Sequence, residues 1–311
     1  MQFAVEAWDP DYGTGGNADA LDASTDVVAA TVEVALADWA PVQPTRGAAS
    51  GVIYFVDGVR RIDARIWVTD GDRVLPGSCA TVAAGSVACT GDAALVHHVE
   101  VRRAVFTPPA ESASAITTDI GRYDHVTVRS GSPEDVYLGI HEEMTDLETT
   151  TIPTPSPDDL VVFDGPLRGR ELPRSVGLIK TQHVQYLEVD QQRVVSQLEA
   201  GDRSPLFTIG ASRFARWSWY LRLPGPRTHG WAGVVRCEMS AGGRYGIKTT
   251  EAAAALADEI SSTLPRFASE PHKENRAPQN LYPIKGLEQA LRRRLGDQRL
   301  VQRALRRAAT R

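Results

Sequence analysis

The chain has 311 residues, 42% of them hydrophobic and 23% charged, which is enough for one large domain or two small ones, each with its own core. No run approaches the ~18–20 apolar residues of a membrane span. The opening lacks a leader's basic start and apolar run, and three cysteines do not make a secreted disulfide scaffold, so a cytoplasmic protein with no membrane partner is expected.

The net charge of −5 hides a polarity. Residues 1–50 carry eight acidic side chains against Arg46, whereas residues 285–311 carry nine basic ones against Glu288 and Asp297. Such an asymmetry permits an anion-binding surface on an acidic protein. The expected organisation is an acidic N-terminal extension over 1–50, then one domain over 51–311 that ends in a basic helical segment.

In chain order, Val52-Ile53-Tyr54-Phe55-Val56 reads as a strand ending in Asp57-Gly58. A second follows over Ile62–Val68, where apolar side chains recur at every second residue. Asp57-Gly58 is then expected between two antiparallel strands. A third strand is expected over Ser86–Cys89 or Ala94–Val101. Asp135–Leu147 reads as a helix with Val136, Ile140, Met144 and Leu147 on one stripe. Its start, Ser132-Pro133-Glu134, combines a capping residue, a first-turn proline and an acid against the dipole.

Asp159-Leu160-Val161-Val162-Phe163-Asp164-Gly165 holds a continuous apolar run, the mark of a strand buried on both faces, and ends in Asp-Gly. Val176–Ile179 predicts a strand that delivers Lys180 at its end. Trp217–Leu223 and Trp231–Glu238 predict a hairpin, and Glu251–Leu264 a helix. From about Leu287 a helix is expected with Leu287, Leu291, Leu295, Leu300 and Leu305 as its apolar side. Strands, helix, buried strand and then mixed structure predict an α/β fold with a mixed sheet flanked by helices.

Two apolar strands that each end in an aspartate, Asp57 and Asp164, frame an acidic helix. A carboxylate at a buried strand end is costly unless paired, and two side by side repel unless a divalent cation neutralises them. Oxygen-only ligands favour Mg²⁺ or Mn²⁺, and two such ions can activate water and stabilise the leaving oxygen of a phosphodiester. The competing reading is that each Asp-Gly is simply a turn. It is weaker at Asp164, which Pro166 and a loop follow.

The third acid is expected from the helix. Glu142 and Glu143 point about 100° apart, and Glu143 is turned toward the buried stripe, so Glu143 is the choice, with Glu148 at the helix end as the outside candidate. Lys180 has two compatible readings, a point charge for the scissile phosphate or a neutraliser of Asp164. Arg236 and Glu238 share a strand face, which predicts an ion pair, with a phosphate contact for Arg236 as the other option.

Phe55-Val56-Asp57-Gly58, Leu160–Leu167 and Val176–Thr181 occur in an order that resembles the NurA nuclease family. Trp219–Leu223, Gly233–Glu238 and Ala277–Pro283 extend the resemblance over about residues 50–300. It implies a ribonuclease-H-like fold and a DNA nuclease dependent on Mn²⁺ (or Mg²⁺), with two ions held by Asp57, Glu143 and Asp164. Such a nuclease cuts single strands and trims duplex ends from the 5′ side in repair. It works as a homodimer with a HerA-type hexameric translocase ATPase. In the family the Tyr-Pro segment is commonly followed, some eight residues on, by an Ala-His pair. Tyr282-Pro283 instead leads to Ala290-Leu291, and His272 lies upstream. That departure feeds the alternative reading, an inactive DNA-end or ATPase-binding protein that retains the fold.

For DNA contact, Lys180, Arg236 and the basic run led by Arg292 and Arg293 through Arg311 are the candidates, the run competing with a solvated helix face and with docking to an acidic partner. Cys79 and Cys89 lack zinc-site spacing. Of His97-His98 one is expected inside and one outside, and Trp217, Trp219 and Trp231 are expected in the core or a dimer contact rather than stacked on bases. No Walker loop is present, so energy input has to come from a partner.

Overall fold

The computed structural model describes residues 22–23, 27–167, 170, 172–182, 184–211 and 215–310. The strands are β1 (Asp22–Ala23), β2 (Val28–Ala29), β3 (Ile53–Asp70), β4 (Arg73–Thr90), β5 (Ala93–Thr107), β6 (Ile116–Thr118), β7 (Gly121–Thr127), β8 (Leu160–Asp164), β9 (Ser175–Ile179), β10 (Val184–Gln185), β11 (Phe207–Ile209), β12 (Arg216–Arg222) and β13 (Val234–Ser240). The helices are α1 (Pro133–Thr150), α2 (Val189–Gln197), α3 (Thr250–Thr263), α4 (Tyr282–Arg294) and α5 (Gln298–Ala308). Eleven strands follow the order β2-β11-β12-β13-β9-β8-β3-β4-β5-β7-β6. Pairing is parallel for β8–β9 and β5–β7, and antiparallel for β12–β13 and β13–β9. This is the expected α/β class, a mixed sheet flanked by helices.

The chain divides into two compact units. The first gathers the described residues up to Phe55, Ala88–Ala94 and Thr154–Lys285. Its β8 is a run of fully buried side chains, Leu160 to Phe163, as its unbroken apolar sequence requires. A cluster of Trp39, Leu187, Val195, Leu198, Phe207, Ile209, Tyr220 and Val234 forms a core, so part of the acidic first fifty residues is packed into this unit. Gly13–Gly16, also in that stretch, lie outside the described residues.

The second unit gathers Val56–Val87, Leu95–Pro153 and the chain from Gly286. Ser132 caps α1 by accepting a hydrogen bond from the Asp135 N–H. The stripe Val136, Ile140, Met144 and Leu147 packs on Ala80, Val82, Ala84, Ala104 and Phe106; each such side chain contributes about 1.5–3 kcal/mol when fully buried. Cys79, on the opposite pleat of β4, packs with Val105, Tyr123, Val301 and Leu305. Both pleats of β4 are covered, and so its buried run is continuous rather than alternating.

Two sequence expectations are corrected. Asp57-Gly58 is no turn: β3 runs through it for 18 residues, and the reversal comes at Gly71, whose φ of 60° suits a two-residue hairpin loop. Gly58 is required for another reason. A Cβ there would lie 2.5 Å from Glu148 Oε1 and 2.7 Å from Met144 Cγ, so the missing side chain lets α1 lie close. The basic helix starts at Tyr282 and breaks at Gly296 (φ 78°), after which the Asp297 carboxylate caps α5 by accepting from the N–H groups of Arg299 and Leu300. The break resets the helical phase, and Leu300 is 53% exposed while Val301, Ala304 and Leu305 are buried.

Candidate functional site

In the first unit, parallel pairing of β8 with β9 sets Asp164 opposite Leu178, and both strands end on the same side. Ligands of α/β sheets gather at these carboxyl ends. Lys180 Nζ lies 2.7 Å from Asp164 Oδ1 and donates to Asn280 Oδ1 at 2.8 Å. The lysine side chain is 2% exposed and the aspartate 12%, so the cation is held by one carboxylate and one amide oxygen within reach of the surface. Gln279 Nε2 donates to the Lys180 carbonyl at 3.3 Å and fixes that backbone.

The chain leaves Asp164 through Gly165, whose φ of 91° only glycine adopts easily. It crosses β9 at Gly177, where a Cβ would lie 2.8 Å from the Gly165 carbonyl oxygen. The Leu167 N–H donates to Glu238 Oε1 at 2.8 Å, and Arg236 Nη1 donates to Glu238 Oε2 at the same distance. The predicted Arg236–Glu238 pair is therefore present, and its task is internal: it clamps the loop behind Asp164. The Arg236 guanidinium is occupied by Glu238, by the Ser218 hydroxyl at 3.3 Å and by the Tyr186 ring 4.8 Å below it, so its partners are internal.

In the second unit, Asp57 is buried and its Oδ1 accepts from the Gly58 N–H at 2.8 Å. Glu148, 3% exposed, brings its carboxylate against the same Gly58. Glu143 is drawn elsewhere, to Arg102 Nη1 at 2.8 Å, and Glu142 is exposed. The acid that α1 sets against β3 at Gly58 is thus Glu148. Its signal was present in the spacing: Val136, Ile140, Met144 and Glu148 succeed one another at four residues, on one helix face.

Among the described residues no three His, Cys, Asp or Glu side chains are gathered as a metal site. The donors present are oxygens, as a hard cation requires, but a complete trio is not assembled.

Arg292, Arg293 and Arg294 are exposed on α4, and Arg299, Arg303, Arg306 and Arg307 on α5. Arg292 bridges Glu288 at 2.8 Å and Arg307 lies 3.6 Å from Asp119; Arg311 lies outside the described residues. Burial pushes the thiols of Cys79 and Cys89 up to about 12 and about 11, and both are unreactive core groups. His97 and His98 both fall on the exposed first half of β5, so neither is the core residue expected. Trp217 and Trp219 are core side chains. His272 is exposed, 3.9 Å from Glu270.

No family model and no curated protein matches the chain. Among solved structures it is similar to the NurA nuclease from Sulfolobus solfataricus at 12% identity, over 83% of this chain and 84% of that one, with a TM-score of 0.45. It is similar to endonuclease V from Bacillus subtilis at 11% identity over 81% and 83%, TM-score 0.31. The catalytic domain of human endonuclease V gives 15% identity over 79% and 82%, TM-score 0.29.

Proposed function

We propose that this chain is a DNA nuclease. The observation that carries the proposal is the buried lysine at the carboxyl ends of two parallel strands, held by Asp164 and Asn280. A carboxylate and an ammonium in that position are chemistry kept for an anion: the lysine, prealigned and partly desolvated, meets developing charge on a phosphoryl oxygen without reorganising.

Mn²⁺ or Mg²⁺ belongs to the proposal, with Asp57, Asp164 and an acid of α1 as ligands; Glu148 suits that role better than Glu143, which Arg102 occupies. When bound, the ion supplies an activated water. Lys180 orients the phosphate, Asn280 and Asp164 hold its ammonium, and Glu238 with Arg236 keeps the loop behind Asp164 in place. The arginines of α4 and α5, Arg292 and Arg293 foremost, contact the DNA backbone. A HerA-type hexameric ATPase is the proposed translocating partner in end processing. A homodimer is the proposed assembly, for which the exposed Trp67, Val74 and Leu95 of the second unit offer apolar surface.

A second reading, an inactive DNA-end or ATPase-binding protein, is favoured by one observation: no trio of ligands is gathered among the described residues. Cleavage of 5′- and 3′-labelled single- and double-stranded DNA with Mn²⁺, for the native chain, Asp57→Ala and Asp164→Ala, separates the two. Metal-dependent cleavage lost in both variants supports the nuclease. Cleavage that survives in both sinks the site. No cleavage with or without the ATPase, and no thermal stabilisation by Mn²⁺, leaves the binding protein.

A further inference from the structure

Two residues beyond Lys180 the first unit lines a cavity of about 220 Å³ with Gln182, Tyr186, Gln192, Tyr220, His229 and Trp231 among its walls. Among the described residues none of its lining side chains carries a fixed charge, which disfavours a phosphate or a carboxylate as the occupant. Tyr186, Tyr220 and Trp231 form its aromatic part. Trp231 meets Tyr220 edge to face, with centroids 5.3 Å apart and an interplanar angle of 87°. One face of Tyr220 is stacked on Phe207 at 5.7 Å, and the Arg236 guanidinium lies 4.8 Å over Tyr186, which fixes both rings.

Its polar groups, glutamine amides and His229 among them, are of both kinds. Gln182 Nε2 is buried and has no hydrogen-bond partner among the described residues, a donor whose loss of water is uncompensated. His229 Nδ1 accepts from the Trp231 N–H at 3.3 Å, so in the neutral ring the proton is on Nε2, a second donor. Gln192 Nε2 donates to the Leu187 carbonyl at 2.7 Å, which leaves its amide oxygen as an acceptor. Aromatic rings beside mixed donors and acceptors, with no fixed charge among the described lining residues, match a flat, neutral heteroaromatic ring with a mixed edge.

We propose that this cavity holds one unpaired nucleobase of the DNA strand. A base pair is too wide for it, so the base has to come from a single strand or an opened end. The proposal deepens the nuclease reading and rests on it for the strand's path: a strand whose phosphate meets Lys180 sets a neighbouring base against Gln182.

The test is binding of single-stranded oligonucleotides carrying 2-aminopurine at successive positions, in EDTA so that cleavage plays no part. The expected result is fluorescence quenching confined to one or two positions. Trp231→Ala and Gln182→Ala relieve it, with affinity falling about tenfold for the tryptophan variant. An abasic residue at the quenched position lowers native-chain affinity by a similar factor and leaves Trp231→Ala unaffected. Both variants are to melt within a few degrees of the native chain, and Gln182→Ala, which removes no packed ring, stands as the test if Trp231→Ala does not fold. Quenching at no position, or quenching unchanged in Gln182→Ala, overturns the proposal. Binding of free deoxyadenosine monophosphate as tightly as the oligonucleotide overturns the strand reading in favour of a mononucleotide site. Position-specific quenching without Mn²⁺-dependent cleavage in the labelled-DNA assay keeps the pocket and removes the nuclease; cleavage without quenching does the reverse.

Discussion

Two buried cations in the first unit look alike by exposure and differ in everything else. Arg203 and Lys180 each have side chains only 2% exposed. Arg203 is saturated: Nε donates to Asp258 at 2.7 Å, Nη2 and Nη1 grip both Glu33 oxygens at 2.7 and 2.9 Å, and Nη1 also reaches the Ser204 carbonyl. Burial pulls its pKa down, but Glu33 and Asp258 outweigh that and leave it raised. Asp258 in turn accepts from the N–H and hydroxyl of Thr45. Three chain segments far apart in sequence, those of Glu33, Arg203 and Asp258, are tied by one guanidinium whose planar fork fits carboxylates. Lys180 has one carboxylate and one amide oxygen, and it stands at strand ends rather than between packed segments. Burial alone does not mark a site; the state of saturation and the place in the sheet do.

The largest effect that would sharpen this contrast is on stability. Arg203→Met leaves two carboxylates without their cation and is expected to cost about 3–5 kcal/mol, measured by urea unfolding, with kcat of the folded protein unchanged. Lys180→Ala is expected to do the opposite, lowering kcat by about 10²–10³ with a small change in melting temperature; an equal loss of stability in both variants would erase the distinction. Next, Gly58→Ala pushes a methyl against Glu148 and Met144 and is expected to cost about 1–3 kcal/mol by overpacking, together with a loss of cleavage that Gly71→Ala does not share.

The pH dependence comes next. Burial raises the Asp258 pKa, but Thr45 and Arg203 outweigh it and hold the group below its ordinary 3.8. A depressed carboxylate stabilises the fold fully above that ordinary value and loses the contribution as pH falls toward the folded one. Acid unfolding scanned below pH 4 is expected to show a steeper stability loss for the native chain than for an Asp258→Asn, Arg203→Met pair. The smallest effect belongs to Glu143→Gln, which breaks a partly exposed pair with Arg102 worth about 0–1 kcal/mol and is expected to leave cleavage intact, while Glu148→Gln lowers it. The reverse order would return the ligand role to Glu143.

Local signals in the sequence were legible where one element decides its own form. β8, α1 and the β12–β13 pair follow from an apolar run, a stripe with its cap, and two strand-like segments on either side of the Pro224–Gly230 loop. Asp57-Gly58 was misleading, because a glycine that makes room for a helix leaves the same trace as a glycine in a turn. Asp164 and Lys180 were readable as strand-end charges, whereas Asn280, 100 residues from its lysine, was not. The Arg203 knot was invisible for the same reason: Glu33 lies 170 residues away and Asp258 lies 55 away. The break at Gly296 was written in the chain as a glycine followed by an aspartate cap, and a leucine count across it concealed the change of phase.

Arg61 donates from its two terminal nitrogens to the carbonyls of Gly296 and Leu295, and Asp63 holds the same guanidinium by Nε. Clamp and helix end are 235 residues apart in the chain. During synthesis, at about 5–20 residues per second, the β3–β4 hairpin therefore waits more than ten seconds, with the surface around Cys79 uncovered, before Val301 and Leu305 exist to cover it. A ribosome-bound chain stopped before α4 therefore carries this apolar face open, because Val301 and Leu305 are the side chains that pack on it.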